Sequence, residues 1–157
     1  FRFQDDLFAV NDTNIFESVL DHVYPKEMKI SKTNISTCKC SYLDLLVSIY
    51  KGKFRISLFD KRDDYKFKIF SYPYLDGNIP EARSYGIYTS QLVRFCSINN
   101  TFQGFLSDVK NLTIKLCNQG FLLAALRKKF VKFYKTRINL WGKYGSDIYD
   151  RMISLYE

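Results

Sequence analysis

Asp5 and Asp6 stand side by side between two short apolar runs, Phe1-Arg2-Phe3 and Leu7-Phe8-Ala9-Val10. In a straight strand neighbouring side chains face opposite ways. The pair can therefore converge on one divalent cation only at a tight turn, and strand, turn and strand is what the flanking residues predict. Ionised carboxylates set between buried strands are costly to desolvate unless they are paired or bound to metal. The plain alternative is a hairpin tip whose acids face water. A second feature is cationic: between Arg127 and Arg137 the chain carries six Lys/Arg and no acid. On a helix, Leu122, Leu123, Leu126, Phe130, Phe133 and Tyr134 share one side while Lys128, Lys132 and Lys135 project from the other. No neighbouring acid can quench that stripe, which suits a row of phosphates. An ordinary solvated face is its alternative.

The elements that must position these groups follow from periodicity and turn residues. Asn11, Asp12 and Thr13 offer N-caps for a helix whose Ile15, Phe16, Val19, Leu20 and Val23 keep helical spacing until Pro25. Residues 42–50 alternate, with Leu43, Leu45, Val47 and Ile49 on one face, and Lys51-Gly52 turns the chain into Phe54, Ile56 and Leu58. A charged loop at 60–66 and a connector at 72–80 containing Pro73, Gly77 and Pro80 come next. Beyond them the pattern is helical, near 86–97, 101–118 and 121–140. In the second segment Phe102, Phe105, Leu106, Val109, Leu112 and Leu116 form one apolar stripe, and Gly120 is a stop signal.

Composition sets the outer bounds. The chain has 157 residues, 46% hydrophobic and 25% charged, which excludes intrinsic disorder and predicts one core. No apolar run approaches the ~18 residues of a membrane span, and the first residues lack a secretory layout, so no membrane partner is expected. The opening on Phe1, directly in a strand-like pattern, reads as a piece of a longer chain. The net charge of +8 is uneven: residues 1–84 hold 13 Lys/Arg against 12 Asp/Glu, and residues 85–157 hold 11 against 4. A basic half beside a neutral one points to a polyanionic partner. Cys38, Cys40, Cys96 and Cys117 form no CxxC pair and His22 lies far from them, so reduced thiols are expected rather than a zinc site. The sequons at Asn11, Asn34, Asn99 and Asn111 are read as chance matches.

Phe3-Gln4-Asp5-Asp6 between apolar strands is similar to the Y-x-D-D catalytic hairpin of reverse transcriptases, with Phe in place of Tyr. Ser41-Tyr42-Leu43-Asp44-Leu45 and Leu58-Phe59-Asp60-Lys61-Arg62-Asp63-Asp64 resemble the stretch downstream of that hairpin in retroelement polymerases. Tyr85-Gly86-Ile87-Tyr88-Thr89-Ser90-Gln91-Leu92-Val93-Arg94 and Leu116-Cys117-Asn118-Gln119-Gly120-Phe121 resemble their helical region, most closely in Penelope-like and related non-LTR elements. The resemblance covers nearly the whole chain.

It implies an α+β fold, an antiparallel palm-type sheet with one packed helix followed by a small helical thumb-like bundle. Residues 1–71 would be the C-terminal part of the palm, 72–84 a connector and 85–157 the thumb-like region. The implied activity is RNA-directed DNA polymerisation with two Mg²⁺ ions, an RNA template, a DNA primer and a dNTP. Asp5 matches the principal metal ligand of the motif, Asp6 its less direct partner, and Phe3 the motif aromatic. The third ligand belongs to an earlier palm strand outside this chain, so the fragment alone is expected to be inactive. Lys29 and Lys32 occupy the place of a lysine that protonates the leaving pyrophosphate; a solvated edge strand guarded by lysines is the alternative. Residues 42–59 match the position of a primer-supporting hairpin. Lys128, Lys132 and Lys135, and more weakly Arg94, match duplex-contacting positions, although Arg94 would equally serve to brace the bundle. The family acts in the nucleus or cytoplasm, and no obligate protein partner is implied. A noncatalytic basic nucleic-acid-binding module, or a decayed retroelement remnant, is the competing reading.

Overall fold

The computed structural model describes every residue except Phe1, residues 11–14, Lys68, Trp141, Ser146 and Glu157, and for Ile15, Phe16, Asp21 and Asp63 it describes the backbone alone. The expected caps at Asn11, Asp12 and Thr13 lie outside the described residues. The chain is α+β. Strands β1 (Arg2–Phe3) and β2 (Asp6–Leu7) form an antiparallel hairpin with Phe3 opposite Asp6. Helix α1 (Ile15–Val23) follows. A separate antiparallel sheet has the order β3 (Lys39–Tyr42), β4 (Leu45–Tyr50), β5 (Lys53–Leu58). Among the described residues four α-helices follow: α2 (Glu81–Ile98), α3 (Phe102–Cys117), α4 (Leu123–Thr136) and α5 (Ile148–Ile153).

The β4–β5 hairpin forms where the sequence places it. Lys51 and Gly52 both take positive φ, +49° and +72°, which matches the right-handed twist of the flanking strands. The alternating run of residues 42–50, however, is not one strand. Leu43 takes φ +56°, so Leu43-Asp44 is itself a two-residue turn that folds β3 back on β4, with Tyr42 opposite Leu45. Leu43 continues the apolar alternation of the sequence and so hides the turn, yet it is exposed.

The buried core lies in the helical half. Phe105, Val109, Leu112 and Leu116 of α3 are buried, as their stripe predicts, and meet Tyr88, Leu92 and Phe95 of α2 and Leu126, Phe130 and Phe133 of α4. Each such side chain stabilises by about 1.5–3 kcal/mol relative to exposure. The wheel fails at the start of α4. Leu122 is an extended N-cap residue outside the helical phase, and both it and Leu123 are exposed, while Phe121 is buried edge-on against Tyr85 with ring centroids 5.1 Å apart. Residues after 140, which carry no long periodic pattern, also enter the core through Ile148, Met152 and Tyr156. The Tyr156 hydroxyl hydrogen-bonds that of Tyr88, which also lies 3.3 Å from the Thr113 hydroxyl. Helix α2 starts at Glu81, directly after Pro80, so the expected boundary between 84 and 85 falls inside a helix. Helix α1 departs from the expected packed helix: Val19 and Val23 on its apolar stripe are exposed.

Sheet and bundle meet at the free edge of β5. The Asn100 amide N–H donates to Ile56 O (3.2 Å), its Nδ2 donates to Phe54 O (2.8 Å), and its Oδ1 accepts from Ile56 N (2.9 Å). The Leu58 amide donates to the Asp108 carboxylate on α3, which also accepts from Asn99 Nδ2 at 2.7 Å. Side chains thus occupy the place of a further strand and block edge-to-edge pairing. Asn99 is held in turn: its carbonyl accepts from Lys143 Nζ and the Tyr144 hydroxyl, both at 2.7 Å, and Lys143 also donates to Cys96 O at the end of α2. Farther along, Arg62 donates through Nε and Nη2 to both oxygens of Asp60, at 2.7 and 2.8 Å, and holds that carboxyl below the usual range. Asn100→Ala should lower stability by about 1 kcal/mol. It should also speed amide exchange at Ile56 while leaving the β3–β4 ladder protected; unchanged exchange at Ile56 would contradict the docking role.

Candidate functional site

The turn carrying the acid pair is Gln4-Asp5, with Gln4 at φ +51° and Asp6 as the first residue of β2. Arg2 Nε donates to Gln4 O at 3.0 Å, and the Arg2 guanidinium lies over the Tyr24 ring at 5.8 Å. Phe8 packs against Tyr42 of β3, with centroids 5.2 Å apart. The tight turn expected at Asp5-Asp6 is therefore present. Its setting is not the expected one. Asp5, Asp6 and Phe3 are all exposed, and the strands are two residues each, so no buried flank imposes a desolvation cost on the carboxylates. Among the described residues no cluster of three or more His, Cys, Asp or Glu is placed to hold a metal. Two carboxylates supply a minority of the six ligands of a Mg²⁺ ion, so the donor set fits a shared site rather than a self-sufficient one.

The two candidate proton donors differ in their surroundings. Lys29 lies exposed in an irregular segment rather than on an edge strand. Lys32 is paired with Glu17 of α1 at 2.9 Å, both side chains largely solvated. Arg94 is also engaged: its Nη2 meets Asp44 Oδ2 at 2.7 Å, tying α2 to the β3–β4 turn. That is the bracing role. A polyanion would have to compete with Asp44 for this guanidinium.

Helix α4 displays the cationic stripe. Lys128, Lys132 and Lys135 are exposed, opposite the buried Leu126, Phe130 and Phe133. They line a shallow surface depression of about 560 Å³ together with Arg127, Ala124 and Val131. The arrangement offers four cations beside Ala124 and Val131, suited to an anionic polymer. Arg127, the first residue of the cationic run, joins the three lysines at this surface. Its spacing of four from Val131 and eight from Lys135 places it at the margin of the same face.

The four cysteines are free, and burial raises the Cys96 thiol to about 12 and pushes the Cys40 and Cys117 thiols up as well. A raised thiol pKa leaves little thiolate at mildly alkaline pH. Among the described residues no helix is long and apolar enough to cross a membrane. Compared with protein-family models, with curated proteins and with solved structures, the chain matches none. Alkylation at pH 8 followed by mass mapping should label the exposed Cys38 well before Cys96; equal labelling of native protein would contradict the burial of Cys96.

Proposed function

We propose that this chain binds a nucleic-acid duplex through the exposed face of α4, as the C-terminal palm and thumb-like part of a retroelement reverse transcriptase. The observation that carries the binding is the run of Arg127, Lys128, Lys132 and Lys135 around one depression, on a helix whose opposite side is buried. Fixed cations displace the counterions condensed on a phosphate backbone, and an A-form duplex exposes its backbone along a wide minor groove. The polymerase reading rests on the ordered series of motifs from Phe3-Gln4-Asp5-Asp6 to Leu116–Phe121.

In that reading β3, β4 and β5 belong to a palm-type sheet, and Asp5 and Asp6 add carboxylate oxygens to a two-Mg²⁺ site completed by an aspartate of an earlier strand. The metal pair supplies activation of a primer hydroxyl and stabilisation of charge on the transferred phosphate. The chain's own residues orient the acid pair through the Gln4 turn and support the primer end through the β4–β5 hairpin, where Arg55 stacks over Tyr50 at 3.9 Å. Among the described residues no ion pair engages Lys29, which makes it the candidate acid, and the nucleus or cytoplasm is the place of action.

One observation favours a noncatalytic binding module instead: the acid pair sits at an exposed tip rather than between buried strands. The two readings separate on metal dependence. Replacing Lys128, Lys132 and Lys135 with Gln should weaken binding to an RNA·DNA duplex and lower the slope of log K against log salt by about 2–3; an unchanged slope would return the stripe to a solvated face. In a longer chain that includes the earlier palm strand, Asp5→Asn should abolish Mg²⁺-dependent primer extension without changing duplex affinity. Retained extension would leave the binding module as the reading.

A further inference from the structure

The stretch from Tyr65 to Tyr74 holds five aromatic residues, Lys66 and Lys68, and no acid. Its described residues form neither helix nor strand, yet the chain is anchored on both sides of it. Before it, a 3₁₀ turn over Lys61–Asp64 is capped by Asp60, whose carboxylate also holds the Arg62 guanidinium at 2.7 and 2.8 Å. At the far end Tyr72 O accepts from Gln119 Nε2 at 2.7 Å, and the Leu75 amide donates to Gln119 O at 3.0 Å, which ties the chain to the end of α3. Between these anchors four rings stay outside: Tyr65, Phe67, Phe70 and Tyr74 are from 46% to 65% exposed. They meet in two pairs, Tyr65 with Phe67 at 5.4 Å between centroids and Phe70 with Tyr74 at 5.8 Å. The pairs are tilted by 49° and 43°, and with about half of each residue exposed, ring surface remains open to a further planar group. The nearby aliphatic residues differ: Ile69 and Leu75 are half-buried, Leu75 against the helical core. What the stretch presents to solvent is rings with the exposed Lys66 among them.

We propose that the Tyr65–Tyr74 stretch binds an unpaired nucleic-acid strand, its bases stacking on the two ring pairs and Lys66 meeting its phosphates. Exposed apolar clusters mark interaction surfaces, and the chemistry of this one selects the partner. Lysine is depleted from protein–protein interfaces, whereas lysine interleaved with rings matches a polymer that carries phosphates along one edge and π faces along the other. Every base has such a face, so the binding has little sequence preference. In a duplex the bases are already stacked on one another and offer no face to these rings. The site is thus distinct from the duplex surface proposed for α4 and shares no residue with it.

The test is a fluorescence-anisotropy titration of the full chain with a labelled oligouridylate of about 12 nucleotides, within the length that single-strand sites cover. Replacing both Phe67 and Phe70 with Leu keeps the surface apolar and removes two π faces, and should weaken binding about tenfold. Phe67→Tyr with Phe70→Tyr restores the faces and should restore the affinity. The same ratio is expected in a background where Lys128, Lys132 and Lys135 are Gln, which separates this site from α4. Both phenylalanines are exposed, so the variants should fold, and a thermal melt checks this. Should the Leu variant melt lower, the unaltered chain decides: an oligonucleotide carrying 4-thiouridine should crosslink within residues 65–74, and adducts confined to α4 would overturn the proposal. Equal affinity of the Leu variant would overturn it, as would binding that the α4 substitutions alone abolish. Absent binding, together with self-association that the Leu variant relieves, would also overturn it and assign the rings to a protein contact.

Discussion

Strand β5 has β4 on one side only, and the outward backbone groups of Phe54, Ile56 and Leu58 on its other side need partners. Asn100 and Asp108 supply them from the helical half. This contact couples the two halves of the chain. Through Asn99, the same turn is bound to Asp108, Lys143 and Tyr144, so the edge of the sheet, the end of α2, the body of α3 and the segment before α5 meet at one polar cluster. Asp108 accepts those bonds in a half-buried place, where burial raises its carboxyl against the lowering effect of Asn99 and Leu58. A group whose folded pKa is raised favours folding most below its unfolded pKa, and that contribution fades as pH rises through the folded value.

The helices depend on that cluster for direction more than for stability. Their core is aromatic and aliphatic, with Phe105, Phe130 and Phe133 fully enclosed. The sheet adds a fixed relation between the β3–β4 turn and α2, through Arg94 and Asp44, while Gln119 and Tyr72 tie the connector to the end of α3. With α2 and α3 fixed, α4 packs by one face and leaves its lysines to solvent. The function proposed for the chain is a consequence of which face of α4 is left over.

How far the sequence reveals this differs from element to element. The β4–β5 hairpin was legible because Lys51-Gly52 is a local signal, and α3 because its apolar stripe is long and regular. The lysine face of α4 followed from the same periodicity. The β3–β4 turn was hidden because a leucine fills a left-handed position that favours glycine or asparagine. Asn100 reads locally as a residue after a helix, and its partners lie 44 and 46 residues away. The pairing of Arg94 with Asp44 spans 50 residues and carries no spacing that could announce it. For the acidic hairpin the sequence left two readings, acids between buried strands or acids at a tip facing water, and the exposed two-residue strands favour the second. Likewise, amphipathic spacing revealed that α1 is a helix and not whether anything covers its stripe.

In the proposed function a nucleic acid lies on the exposed face of α4. Lysine acetylation of the intact chain, mapped by mass spectrometry with and without an RNA·DNA duplex at low salt, addresses it directly. Protection concentrated at Lys128, Lys132 and Lys135, with Lys26 and Lys39 still reactive, is the predicted pattern. Uniform protection along the chain, or protection that spares α4, would contradict it.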